Sequence, residues 1–81
     1  MRIYDFKGRK NLCGKRICKQ RKKLRMSQSD LAAKMQVEGV ALERDSISRI
    51  EIGTRFVADY EVGVFARILG VTVEWLLELD E

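Results

Sequence analysis

SQSDLAAKM at residues 27–35 and DSISRIEIGTR at residues 45–55 are the two stretches on which the reading of this chain turns. Ser27 has the character of a helix N-cap, because its hydroxyl can accept from a free first-turn N–H. Asp30, three residues on, sets a carboxylate near the positive end of the same helix. Leu31, Ala32 and Met35 then recur at helical spacing and give a narrow apolar face. This helix should end near Val37 or Glu38, with Gly39 just past it. A further helix is predicted over 44–52, with Ile47 and Ile50 inward, Arg44, Ser48 and Glu51 on other faces, and Gly53 as its stop. Residues 40–43 (VALE) read as a short loop between the two. Two short helices, closely joined and both polar at their N-termini, suit nucleic acid. One can offer side chains to base edges while the other turns its free N–H groups toward a phosphate.

The flanks supply the rest of a core. Upstream, Asn11 can cap a helix over about 12–25. Leu12, Ile17 and Leu24 share one face there with Cys13 beside them, and Lys15, Lys19 and Lys22 form a stripe elsewhere. Residues 1–10 show no sustained period and read as a basic N-terminal arm, which leaves 11–81 as the domain. Downstream, residues 54–58 form a loop in which Phe56 should pack down. Asp59 is expected to cap a helix over 60–69 with Val62, Phe65, Ile68 and Leu69 inward. Gly63 inside that helix costs about 1 kcal/mol against alanine, which suggests a close helix approach. Gly70 ends it, and Thr72 caps a short helix over 73–79 with Val73, Leu76 and Leu77 packing. Trp75 is expected to be partly exposed, as part of a subunit interface or as cover for a small core. No alternation of period two occurs, so the expected fold is all-α, a compact domain of five helices.

Composition narrows the function. The chain has 81 residues, 46% of them hydrophobic and 35% charged, with no proline and no histidine. No apolar run approaches the roughly 20 residues a membrane span needs, and no signal-peptide segment is visible, so a cytoplasmic protein is expected. Without histidine the commonest general acid/base and most zinc sites are gone. No enzyme activity, cofactor or metal is expected. Cys13 and Cys18 lie five apart on one helix, on different faces, and read as packed or exposed thiols rather than a disulfide or a redox switch.

Charge is unevenly placed. Residues 1–25 carry eleven basic groups against one acid, a net of +10, whereas residues 26–81 carry five against eleven, a net of −6. A split this sharp suggests that a polyanion meets one side of the molecule. A solvated basic helix is the plainer account. Membrane-surface binding is disfavoured, since the basic helix lacks an aromatic and leucine face.

Taken together, SQSDLAAKM, DSISRIEIGTR, FARILGVTVEWLL at 65–77 and RKKLRMSQ at 21–28 resemble the lambda-repressor-like (Xre/Cro) helix-turn-helix family over about residues 11–79. The resemblance implies that the second and third helices form a helix-turn-helix. It implies that Gln28 binds backbone phosphate and orients the base-reading residues. Arg44, Asp45, Ser46 and Arg49, together with Ser48, would contact bases and phosphates from the third helix. Arg44 and Arg49 suit guanine O6 and N7, and Asp45 suits cytosine N4 or an arginine partner. Thr54 and Arg55 would grip phosphate in the loop after the third helix. Arg21 and Glu51 would form a structural ion pair between the first helix and the third.

Two features depart from the family pattern. The connection QVEGVALER is about five residues longer than usual, so the second helix gains a turn or the loop bulges. Ile52 stands where the family is often polar, and it is expected to pack rather than touch DNA. The function implied is a sequence-specific, double-stranded-DNA-binding transcriptional regulator, a repressor acting as a homodimer. The alternative is an antitoxin-like or other protein-interaction module, with a protein partner and secondary DNA binding.

Overall fold

A computed structural model describes residues 6–80, and in it five helices follow one another: α1 (Gly14–Lys23), α2 (Gln28–Val37), α3 (Arg44–Ile52), α4 (Asp59–Leu69) and α5 (Val73–Leu76). Among the described residues there is no strand, only an isolated bridge between Phe6 and Arg9. Every helix gives at least one side chain to the core, and α2 and α4 give several. Ile17, Leu31, Met35, Leu42, Ile47, Ile50, Phe65, Leu69 and Leu76 are all fully buried. No helix among the described residues is long and apolar enough to cross a membrane.

Local signals set most of the boundaries. Ser27 and Asp30 form a reciprocal capping box, each side chain bonded to the other's backbone N–H at 2.9 Å. The same N–H bond from Ser27 holds the exposed Asp30 carboxyl below its ordinary pKa. Gly39 follows α2 at φ 90°, and the Val40 N–H returns to the Met35 carbonyl, closing the helix end. Thr72 caps α5 by accepting from the Trp75 N–H at 3.0 Å.

α2 ends at Val37, close to its expected bound. The connection to α3 turns inward: Val40 and Leu42 are buried while Ala41 between them is exposed. The Gln36 side chain donates to the Leu42 carbonyl at 2.9 Å and holds the bend. The connection is therefore a plug in the core.

Several expectations need correction. α1 begins at Gly14 rather than Leu12 and stops at Lys23, so Leu12 and Leu24 fall outside it and are 40% and 43% exposed. Asp59 is the first residue of α4 and not its cap. Ala58 holds the cap position, and Glu61 accepts from the Ala58 N–H at 3.0 Å in place of a cap side chain. α5 is a single turn, because Glu78 adopts φ 59° and the Leu79 N–H folds back to the Glu74 carbonyl. Phe56 is 49% exposed. Trp75 is partly buried against the core and lies under Arg16, whose guanidinium is 4.9 Å from the ring centre. Arg16 also donates to the Trp75 carbonyl and pairs with Asp80, closing the seam between α1 and α5.

Gly63 has no close helix neighbour: a Cβ placed there meets nothing within 4 Å. Only the propensity penalty of glycine remains. Gly63→Ala is therefore expected to stabilise the domain by about 0.5–1 kcal/mol, read from the shift of the urea unfolding midpoint at constant slope.

Candidate nucleic-acid interface

Ile47 and Ile50 turn one side of α3 into the core, so the 100° step per residue sends Arg44, Asp45, Ser48, Arg49 and Ile52 to the other side. Arg44, Asp45, Arg49 and Ile52 are exposed, and Ser46 and Ser48 are half-buried. Arg44 and Asp45 stand 3.7 Å apart as an exposed pair, a weak contact in water that a ligand can displace. Arg49 reaches back to the Asp45 carbonyl with a long 3.4 Å bond. The polar groups on this face are thus either unfixed or loosely held.

Behind the face lies a tight charged cluster. Arg21 grips Glu51 with two bonds, Nε to Oε2 at 2.7 Å and Nη2 to Oε1 at 3.0 Å. The side chains are only 10% and 7% exposed. Gln28 donates to Glu51 Oε1 at 3.0 Å, and Arg21 Nη1 donates to the Met26 carbonyl at 2.8 Å. One carboxylate thus ties α1, the start of α2 and the last turn of α3 together. Burial pushes the Glu51 carboxyl up, but the bonds from Arg21 and Gln28 outweigh it and hold the pKa below the usual range. The bond to Glu51 holds the Arg21 guanidinium above its already high value.

The C-terminal end of α3 is fastened by residues that the sequence reading assigned elsewhere. Gly53 takes φ 99°, and the Thr54 N–H returns to the Arg49 carbonyl at 2.9 Å. Arg9 donates from Nη2 to the Glu51 carbonyl and from Nη1 to the Ile52 carbonyl, both at 3.0 Å. The Lys10 N–H donates to the Gly53 carbonyl at 2.8 Å. Asn11 Nδ2 donates to the carbonyls of Ile50 and Arg55, while its Oδ1 accepts from the Gly14 N–H at 2.7 Å. Cationic Arg9 also suits the negative end of a helix. Residues 9 and 10 therefore belong to the packed domain, and the boundary drawn after residue 10 cuts through these contacts. Residues 1–5 of the expected arm lie outside the described residues.

Gln28 is tied to Glu51 behind the outer face of α3, with one N–H committed there and a second left over. Thr54 is exposed just past α3, with its amide and hydroxyl both directed at the Arg49 carbonyl. Arg55 is largely committed: it donates to the Phe56 carbonyl at 2.8 Å and pairs with the buried Glu61 at 3.2 Å. Arg44, Asp45, Ser48 and Arg49 come together on one face, with Ser46 on the flank.

On α1 the outward side carries Lys15, Lys19, Lys22 and Lys23, all exposed and none in a salt bridge with another described residue. Cys13 is buried, and burial raises its thiol pKa to about 11. Cys18 is half-buried with its sulfur 3.8 Å from Arg21 Nη2, and both thiols are free. No group of three or more potential metal ligands occurs among the described residues. Comparison with protein-family models, with curated proteins and with solved structures gives no match.

Proposed function

We propose that this chain is a sequence-specific, double-stranded-DNA-binding transcriptional regulator of the helix-turn-helix type, acting as a homodimeric repressor. α2 and α3 form the helix-turn-helix, and α3 is the reading helix. The observation that carries this reading is the outer face of α3. Arg44, Asp45 and Arg49 are exposed with the half-buried Ser48 beside them, while the buried Arg21–Glu51 pair, joined by the half-buried Gln28, fixes the backbone beneath them. Arginine bridges guanine O6 and N7 in the major groove, and Asp45 accepts from cytosine N4 or steadies Arg44. The lysines of α1 add sequence-independent attraction to the phosphates. Two copies acting as a homodimer would set their α3 helices about one DNA turn apart, roughly 34 Å.

Selection from random duplex DNA by the purified protein, at two salt concentrations, tests this reading. An inverted repeat should be enriched. Arg44→Ala should lose discrimination at one base position by about 1–3 kcal/mol, and Lys10→Ala should weaken binding evenly over all sequences. An unchanged preferred site in Arg44→Ala would remove Arg44 from the reading face.

The second reading is an antitoxin-like protein-interaction module. It draws support from an apolar groove of about 420 Å³ lined by Phe56, Val57, Val62, Gly63, Val73 and Leu77, with Asp59 at its edge. Absence of duplex binding at low salt, with a partner protein retained on the column, would favour it.

A further inference from the structure

Ile52 does not pack into the core. It is 63% exposed, against 0% for Ile47 and Ile50 on the same helix. An exposed aliphatic residue alone is ordinary, and Val37 and Leu79 are exposed as well. The position of Ile52 sets it apart. Asp45, Ser48, Arg49 and Ile52 follow one another at the spacing i, i+3, i+4, i+7, which stacks them along one side of α3. Ile52 is the single large apolar side chain in that row. Its backbone is fixed, since Arg9 Nη1 donates to its carbonyl at 3.0 Å and Gly53 closes the helix directly behind it. Its side chain is β-branched and holds one χ1 rotamer in a helix, so little freedom is lost when it meets a surface.

An apolar group in a row of polar readers matches the one apolar feature of the major groove, the C5-methyl group of a pyrimidine. We infer that Ile52 is a specificity-determining residue that reads a thymine C5-methyl, next to the base position read by Arg49. This inference rests on the DNA-binding reading above. It adds a base preference that the polar residues of α3 cannot supply.

The test uses the duplex enriched by the full chain. Each thymine is replaced in turn by uracil, which removes only the methyl group. Binding is measured for the natural chain, for Ile52→Ala and for Ile52→Val, all checked for unchanged melting. The natural chain should lose about three- to five-fold at one thymine per half-site, the worth of one buried methyl group. Ile52→Ala should show no loss there, and Ile52→Val an intermediate one. Cytosine and 5-methylcytosine placed at the same position separate the methyl group from the rest of thymine, and the natural chain should prefer the methylated base. Equal uracil effects in the natural chain and Ile52→Ala would overturn the inference while leaving DNA binding intact. Failure to enrich any duplex would instead overturn the reading on which it rests.

Discussion

Glu51→Ala is expected to cost about 3–5 kcal/mol, because it leaves the Arg21 guanidinium buried without its carboxylate. Both side chains are at least nine-tenths covered, so solvent screening does little to soften the loss. A domain of this size is stabilised by roughly 4–12 kcal/mol in total, so one substitution removes a large share of it. The melting temperature should fall by about 4–8 °C for each kcal/mol lost. Glu51→Gln keeps an acceptor for Arg21 and Gln28 but not the charge, and should fall between the two. Replacing both partners by apolar residues of similar volume should recover much of the loss, since no buried charge then stands alone.

The same pair sets an acid limit. The folded state depresses the Glu51 pKa, so its contribution is complete above the unfolded value of about 4.3 and fades as pH falls through the lower folded value. Unfolding followed by circular dichroism between pH 7 and pH 2 should show stability falling below about pH 4.3 in the natural chain. Glu51→Gln should give a shallower curve over that range. A parallel acid profile would mean that other carboxylates govern acid unfolding.

The second large effect concerns Gly14. Alanine normally improves a helix over glycine by about 1 kcal/mol, and at Gly63 that rule should hold. At Gly14 the sign should reverse. A Cβ there overlaps the Ile50 carbonyl oxygen and comes within 2.8 Å of Asn11 Oδ1 and 2.9 Å of Arg9 Nη2. The first of these is backbone and cannot rotate aside, so the start of α1 must lift from the end of α3. Overpacking alone costs about 1–3 kcal/mol. Each Asn11 hydrogen bond lost with it adds about 0.5–1.5 kcal/mol. Gly14→Ala and Gly63→Ala measured side by side in urea should therefore shift the midpoint in opposite directions. A stabilised Gly14→Ala would mean that the two helix ends are not in contact.

Helices with their own start and stop residues were legible in the sequence. Ser27 with Asp30, Gly39, Gly53 and Gly70 act through bonds within a few residues, and α2, α3 and α4 lie close to their expected bounds. α5 was overextended, because Glu78 turns the chain with a left-handed conformation that glutamate rarely adopts. The inward turn of Val40 and Leu42 was hidden, since a four-residue stretch has no period to read. The Arg21–Glu51 contact entered only through family resemblance, and the geometry supplies it as a two-bond pair. Asn11 was expected to cap α1; it does accept from the Gly14 N–H, but Cys13 holds the cap position. The bonds from Asn11 to Ile50 and Arg55 span 39 and 44 residues and left no local mark. Arg9 looked like one more basic residue of an arm for the same reason. Arg55 shows the converse case, because nothing near it in sequence marks its buried partner Glu61 as a competitor for a phosphate.

α3 is a beam on two unlike supports. Its last turn is clamped by polar bonds from Arg9, Lys10, Asn11 and the Arg21–Glu51 pair. Its first turn rests on apolar contact, through the buried Leu42 ahead of it and the buried Ile47, and the cap residue Glu43 adds no side-chain bond there. Hydrogen bonds fix direction as well as distance, so Arg49 and Ile52 keep a fixed origin and a fixed bearing. Apolar contact is non-directional, so the end that carries Arg44 and Asp45 is set in depth more strictly than in angle.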